Sequence, residues 1–171
     1  MNLPFQLDLS GKTIVITGGG GVLCGMFAKA LSACGANIAV LDLNENAANS
    51  VAEEIRKNGG TAIGYCANVL DRSSLEEVRK KILSDFGACD ILINGAGGNN
   101  PKGTTQKEYF EPSDLDSDTV TFFDLDPDGV EFVFRLNFLG TLLPTQVFAK
   151  DMAKGEKGCI INISSMNAFT P

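Results

Sequence analysis

Short apolar runs rich in β-branched residues alternate along the chain with longer stretches whose apolar positions recur every three or four residues. The runs are 13–17 (TIVIT), 37–41 (NIAVL), 61–66 (TAIGYC), 90–94 (DILIN) and 159–163 (CIINI), and each predicts a strand. The helical patterns lie at about 23–34, 45–58, 73–86 and 129–154. Strands apolar along their whole length are buried on both faces, so helices must cover both sides of a parallel sheet. Right-handed crossovers then make it a doubly wound, Rossmann-like α/β fold. Stop signals agree: Gly35, Asn58-Gly59-Gly60 and Gly87 end the first three helices, and Asp71 or Ser73 caps the third.

One segment breaks the rhythm. Residues 98–129 combine Asn99, Asn100, Pro101 and Lys102 with acids (Glu108, Glu111, Asp114, Asp116, Asp118, Asp124, Asp126, Asp128) and with Tyr109, Phe110, Phe122 and Phe123. Connections of this length in compact domains are functional lids or disordered insertions. Two readings stand: a substrate lid, or a solvated insertion with a short helix near 118–125.

Chemistry enters at the first strand-to-helix turn, TGGGGVLCG, residues 17–25. Glycines there permit positive φ and let a pyrophosphate approach backbone N–H groups at the positive end of a helix dipole. The context sharpens the signal, because Asp42 stands at the end of the second strand, about twenty residues on, where a carboxylate accepts both ribose hydroxyls of an adenosine. No Gly-Lys-Ser/Thr follows, which excludes a Walker phosphate loop. Methyltransferases share the turn and the second-strand acid but carry an acid at the first turn, where this chain has Ile16-Thr17. Asp42 repels a 2′-phosphate, and Leu43, Asn44 and Gly19 offer no compensating cation, so NAD is favoured over NADP.

Composition narrows the classes further. With 44% hydrophobic residues and a mean hydropathy of +0.07, the chain is expected to bury one core in a single domain over 1–171, with no segment apolar enough to span a bilayer. A net charge of −7 disfavours a nucleic-acid partner. The start, MNLPFQLDLSGK, lacks a basic region followed by an apolar one, which leads to the expectation of a cytoplasmic protein. There is no histidine, so Ser-His-Asp triads and most zinc hydrolases are excluded, and no metal site is expected. The five cysteines are scattered without CxxC spacing and read as small hydrophobes.

With the glycine turn, Asp42, NVLD, INGAG, NFLGT and NISS in order, the sequence resembles the classical short-chain dehydrogenases/reductases over nearly its whole length. The resemblance implies that Thr17, Gly18, Gly20, Gly21, Val22 and Leu23 hold the pyrophosphate of NAD, and that Asp42 and Leu43 hold the adenosine. Asn68 and Val69 would flank the adenine, and Asn94, Ala96 and Gly97 would line the central strand beside the cofactor. Asn137 would be the catalytic asparagine of a proton relay, and Ser165, at the carboxyl end of a central strand, the serine that polarises the substrate carbonyl. Within the family the likeness is to sugar-acid reductases of the D-mannonate oxidoreductase (fructuronate reductase) type, with gluconate 5-dehydrogenases next. A sugar-acid carboxylate needs a cation or several donors, and Asn99, Asn100 and Lys102 are the candidates, although Lys102 reads equally as a solvated residue.

Departures accompany the likeness. The pattern TGxxxGxG would put glycines at 22 and 24, where this chain has Val22 and Cys24 beside Gly21 and Gly25; the adenine-side aspartate is Asn68, and the second asparagine of NNAG is Gly95. Gly21-Val22-Leu23 resembles the turn of the epimerase and dehydratase branch. The YxxxK pair that the family places after Ser165 is not reached, and neither Tyr65 nor Tyr109 precedes a lysine at that spacing. The expectation is therefore a C-terminally incomplete piece of a longer enzyme, inactive by itself, with a non-catalytic nucleotide-binding module as the alternative of another class. The stripe Phe132, Leu136, Leu139, Leu143 suggests either homo-oligomer contacts, as in the resembled family, or packing onto the sheet.

Overall fold

The computed structural model describes residues 7–165. Residues 1–6, part of the stretch behind the leader reading, and 166–171 lie outside the described residues. Five strands, β1 (Thr13–Thr17), β2 (Asn37–Asp42), β3 (Thr61–Cys66), β4 (Ile91–Asn94) and β5 (Cys159–Asn162), form one parallel sheet in the order β3-β2-β1-β4-β5. This is the doubly wound α/β arrangement that the alternation of apolar runs and helices predicts.

Side chains alternate across the sheet and fill two cores. On one face Ile14, Ile16, Ile38, Val40 and Ile93 meet α1 (Val22–Ala33) and α2 (Glu45–Lys57) through Ala28, Ala48, Ala52 and Ile55. On the other, Val15, Ala39, Leu41, Tyr65 and Leu92 pack on α3 (Arg72–Asp85) and α5 (Gly140–Lys154) through Leu75, Val78, Ile82, Val147 and Phe148. Burying each large apolar side chain stabilises the fold by about 1.5–3 kcal/mol. Arg79 also joins α3 to α5: Nε donates to Asp151 Oδ2 at 2.9 Å and a terminal nitrogen donates to Oδ1.

Helix starts follow their capping chemistry. Asp71 Oδ1 accepts from the Ser73 and Ser74 N–H groups and Asn44 Oδ1 from that of Ala47, so α3 and α2 begin there. The single helix expected over 129–154 is a composite. α4 (Pro127–Phe134) starts earlier, because Asp126 caps it and Pro127 occupies its first turn; a π turn at Arg135–Leu139 links it to α5. This continuous run, Pro127–Lys154, is long and apolar enough to cross a bilayer, contrary to the expectation from the sequence, although α5 lays Val147, Phe148 and Met152 on the sheet. The apolar stripe divides accordingly: Leu143 packs against the core, while Phe132 is exposed along with Phe134 and Phe138.

The insertion has a single 3-10 turn, Phe122–Asp124, where a short helix is expected near 118–125. Over its whole length it holds three such turns, Pro101–Gly103, Pro112–Asp116 and Phe122–Asp124. The Glu111 N–H donates to Asp114 Oδ2 at 2.9 Å and the Thr121 N–H to Asp124 Oδ2 at 3.0 Å, which caps the start of two of them. Its ends are tied where the Asp126 N–H donates to the Lys102 carbonyl at 3.0 Å, and where Gly103 and Gly129 cross so closely that a Cβ on Gly129 would stand 2.8 Å from Gly103 N. The 5%-exposed Asp114 is held by Lys107 Nζ and the Glu111 N–H, which keep its carboxyl below the usual carboxylate range.

Candidate nucleotide and substrate site

Parallel strands in register align their carboxyl ends. Thr17 pairs with Leu41 and Asn94, Asp42 with Cys66, and Asn94 with Asn162. Residues from all five strands thus meet at one edge, the place where doubly wound sheets bind ligands. Among the described strands β5 lies at the edge of the sheet, and Ile160 and Ile161 are exposed there.

The glycine turn is built by close approach. Gly18 has φ +65°, and a Cβ there would stand 2.9 Å from the Ala96 Cα and N, so only glycine fits where β1 leaves beside the β4 loop. Thr17 ties the same loop from within, its Oγ1 accepting from the Gly95 and Ala96 N–H groups at 3.1 and 3.2 Å. Gly20 approaches Asp42, whose Oδ2 accepts from the Gly20 N–H at 3.0 Å, while Oδ1 accepts from the Asn44 N–H at 2.9 Å. Each carboxylate oxygen keeps a further lone pair, enough for the two hydroxyls of a ribose.

A dinucleotide fits this edge. α1 begins after Gly21 with no side-chain cap, and Val22, 90% exposed, and Leu23 leave its first N–H groups open to an anion. Leu43, 71% exposed, offers an apolar platform beside Asp42. Val69 is buried beside Gly140, and the exposed Asn68 spends its Oδ1 on the Leu70 N–H, capping its own turn. Cys24 lies buried behind the turn, and burial, then the Asp42 charge, pushes its thiol pKa up. Cys24 also explains two departures at once: a Cβ on Gly95 would come within 2.1 Å of its Sγ, so the thiol occupies the space that a side chain at 95 would need.

Asn94 is a brace rather than an open wall. It is 2% exposed, and its Nδ2 donates to Thr145 Oγ1 at 3.0 Å and to Asn162 Oδ1 at 2.9 Å. Asn137 sits in the π turn and clamps Gly98, accepting from its N–H at 3.1 Å and donating to its carbonyl at 2.8 Å. A Cβ on Gly97 would meet Asn137 Oδ1 at 2.7 Å, so the loop runs close under the amide. The candidate substrate residues follow directly. Asn99 Oδ1 accepts from the Asn100 N–H and the Thr104 hydroxyl, and Asn100 Oδ1 from the Lys102 N–H, so both carboxamide oxygens shape the loop. Lys102 Nζ is exposed, 3.6 Å from Asp126 Oδ2. Asp126 is held below the usual carboxylate range first by the Asp128 and Gly129 N–H groups, with Lys102 adding to it. Ser165 is exposed and lies three residues beyond Asn162.

Neither tyrosine is placed for proton transfer at this edge. Tyr65 is buried in the core and donates to Asp85 Oδ2 at 2.7 Å, and burial followed by Asp85 pushes its phenol well up; Tyr109 is exposed on the insertion. Among the described residues no cluster of three acids or cysteines is arranged to hold a metal ion. Thr141 and Thr145 escaped the sequence reading. Their signal is a four-residue spacing from Asn137, obscured by the apolar stripe on the same helix.

Comparison with known proteins agrees with this geometry. The short chain dehydrogenase family matches residues 12–171. An uncharacterized oxidoreductase of Haemophilus influenzae is 60% identical over all 171 residues and 60% of its own length, and the uncharacterized oxidoreductase UxuB of Bacillus subtilis is 45% identical over 99% of this chain and 60% of its own. A candidate D-mannonate oxidoreductase from Haemophilus influenza, solved with bound NAD, superposes with a TM-score of 0.92 at 61% identity over 96% of this chain and 59% of its own. The chain thus spans about 60% of the length of these relatives. From the glycine turn through Asp42 to the clamped β4 loop, and along nearly its whole length, this chain belongs to the short chain dehydrogenase family.

Proposed function

We propose that the natural protein is an NAD(H)-dependent oxidoreductase interconverting the ketone and alcohol of a sugar acid, D-fructuronate and D-mannonate, with NADP disfavoured. The likeness to the NAD-bound D-mannonate oxidoreductase candidate carries this reading, because it holds at 61% identity over 96% of this chain.

When bound, the nicotinamide takes up or supplies the hydride. The chain's residues bind and orient. The open N–H groups of α1 face the pyrophosphate, and Asp42 accepts from the adenosine ribose while its charge repels a 2′-phosphate. Leu43 and Val69 flank the adenine. Ser165 donates to the substrate carbonyl, where oxyanion character develops. Asn137, by holding Gly98, keeps Asn99, Asn100 and Lys102 at the mouth of the site. An exposed pair such as Lys102–Asp126 contributes little on its own, so the ammonium exchanges readily onto a substrate carboxylate. The insertion then acts as one wall of the substrate site, and exposed Phe132, Phe134 and Phe138 serve contacts in a homo-oligomer.

The test is NADH oxidation by the natural-length protein with D-fructuronate, 5-ketogluconate and no acceptor, repeated with NADPH. Turnover is expected with fructuronate, with NADH preferred by about tenfold or more, equivalent to about 1.4 kcal/mol. Turnover with 5-ketogluconate alone, a preference for NADPH, or no reaction with either acid would overturn the assignment.

A further inference from the structure

A line of hydrogen bonds runs from β5 to the π turn. Asn162 Oδ1 accepts from Asn94 Nδ2 at 2.9 Å, and the same Nδ2 donates to Thr145 Oγ1 at 3.0 Å. Thr145 Oγ1 donates to the Thr141 carbonyl at 2.8 Å, and Thr141 Oγ1 to the Asn137 carbonyl at 3.1 Å. Asn137 Nδ2 then donates to the carbonyls of Val133 and Gly98. The direction of the line is set at Thr145. An amide nitrogen only donates, so the hydroxyl accepts from Asn94, and its one hydrogen is left for Thr141.

The helix needs such support at this place. The π turn Arg135–Leu139 interrupts the i→i−4 ladder, and Pro144, lacking an N–H, leaves one further such bond out of α5, so regular backbone bonds are missing on both sides of Gly140. Hydroxyl bonds to the carbonyl four residues back replace part of them and add what a helix alone lacks, a tie to the sheet.

We propose that Thr145 is a positioning residue: it anchors the π turn to the ends of β4 and β5, and so fixes Asn137 and the Gly98 loop relative to the strand that delivers Ser165. Its consequence for turnover rests on the proposed oxidoreductase reading; its consequence for the loop does not.

Thr145→Val keeps the shape and removes the hydroxyl, and Thr145→Ser keeps the hydroxyl. In the natural-length protein, Thr145→Val is expected to speed amide hydrogen exchange at Gly98 about tenfold, the scale of one lost hydrogen bond, and to lower kcat by a similar factor while KM for NADH stays within about twofold. Thr145→Ser is expected to restore both. Wild-type exchange at Gly98 in Thr145→Val, or a serine variant that behaves like valine, overturns the proposal. Should Thr145→Val not fold, the half-exposed Thr141→Val cuts the same line, and unchanged Gly98 protection in it overturns the proposal equally. Absence of NADH oxidation in the wild type sinks only the functional reading, and Gly98 exchange still decides this one.

Discussion

Replacing Gly95 by alanine would place a Cβ 2.1 Å from Cys24 Sγ and 3.1 Å from the Thr17 carbonyl oxygen. Gly95 is not among the glycines with positive φ, so its backbone accepts alanine and only space opposes the change. Cys24 is 4% exposed on the first turns of α1 and has little room to turn away. Overpacking of this kind costs about 1–3 kcal/mol. Cys24→Ala alone removes one buried sulfur while keeping a good helix former, at a cost of about 1 kcal/mol. Together the changes fit, because the new Cβ enters the space that the sulfur leaves. Cys24→Ala should therefore destabilise the wild type yet stabilise Gly95→Ala, with a coupling of about 2 kcal/mol between the sites. Urea unfolding reads this directly: at a slope of about 2 kcal/mol/M, the midpoint of Gly95→Ala falls by about 1 M and recovers about half of that in the double variant. Additivity within about 0.5 kcal/mol would refute the idea that the two positions exchange one volume.

Two further outcomes follow from local geometry. Glu156 holds φ 52° in the turn after α5, a conformation that asparagine tolerates better, so Glu156→Asn should raise the thermal midpoint, reflecting about 0.5–1 kcal/mol; an unchanged or lower midpoint refutes the strain. Burial works against ionising Asp90, but the Thr13 N–H and Lys12 Nζ, both at 3.0 Å, outweigh it and hold its carboxyl below the ordinary 3.8. A depressed folded pKa stabilises above the unfolded value and is lost as pH falls through the folded one, so Asp90→Asn should flatten the loss of stability below about pH 4; an equally steep loss refutes it.

Much of the site was legible because it lies on regular elements. Thr17, Gly18 and Asp42 each end or follow a strand whose apolar run is unmistakable, and a parallel sheet brings such ends together whatever the details. Asn137 was legible through the NFLGT motif of the resembled family, but its partner Gly98 was not, since a helix and a loop 39 residues apart meet only through folding. The length of the insertion points to a lid or a solvated segment, and its acids look like solvent-facing charge. Asp114 is instead buried, neutralised by Lys107 and the turn it closes, and capping pairs read as local structure only once the turns exist.

The alternation of apolar runs with helical spacing determined the parallel sheet, its two cores and the nucleotide edge, because burial of period-two and period-3.6 patterns admits few other solutions. Tertiary structure alone decided what depends on contact across the chain. Cys24 and Gly95 read as two separate departures from a pattern until the fold showed them sharing one volume. The break in the last long helix, and the hydroxyl line that ties it to β4 and β5, arise from a π turn that hydrophobic spacing does not encode. Volume and hydrogen-bond direction belong to pairs of residues, and pairs exist only after the chain has closed on itself.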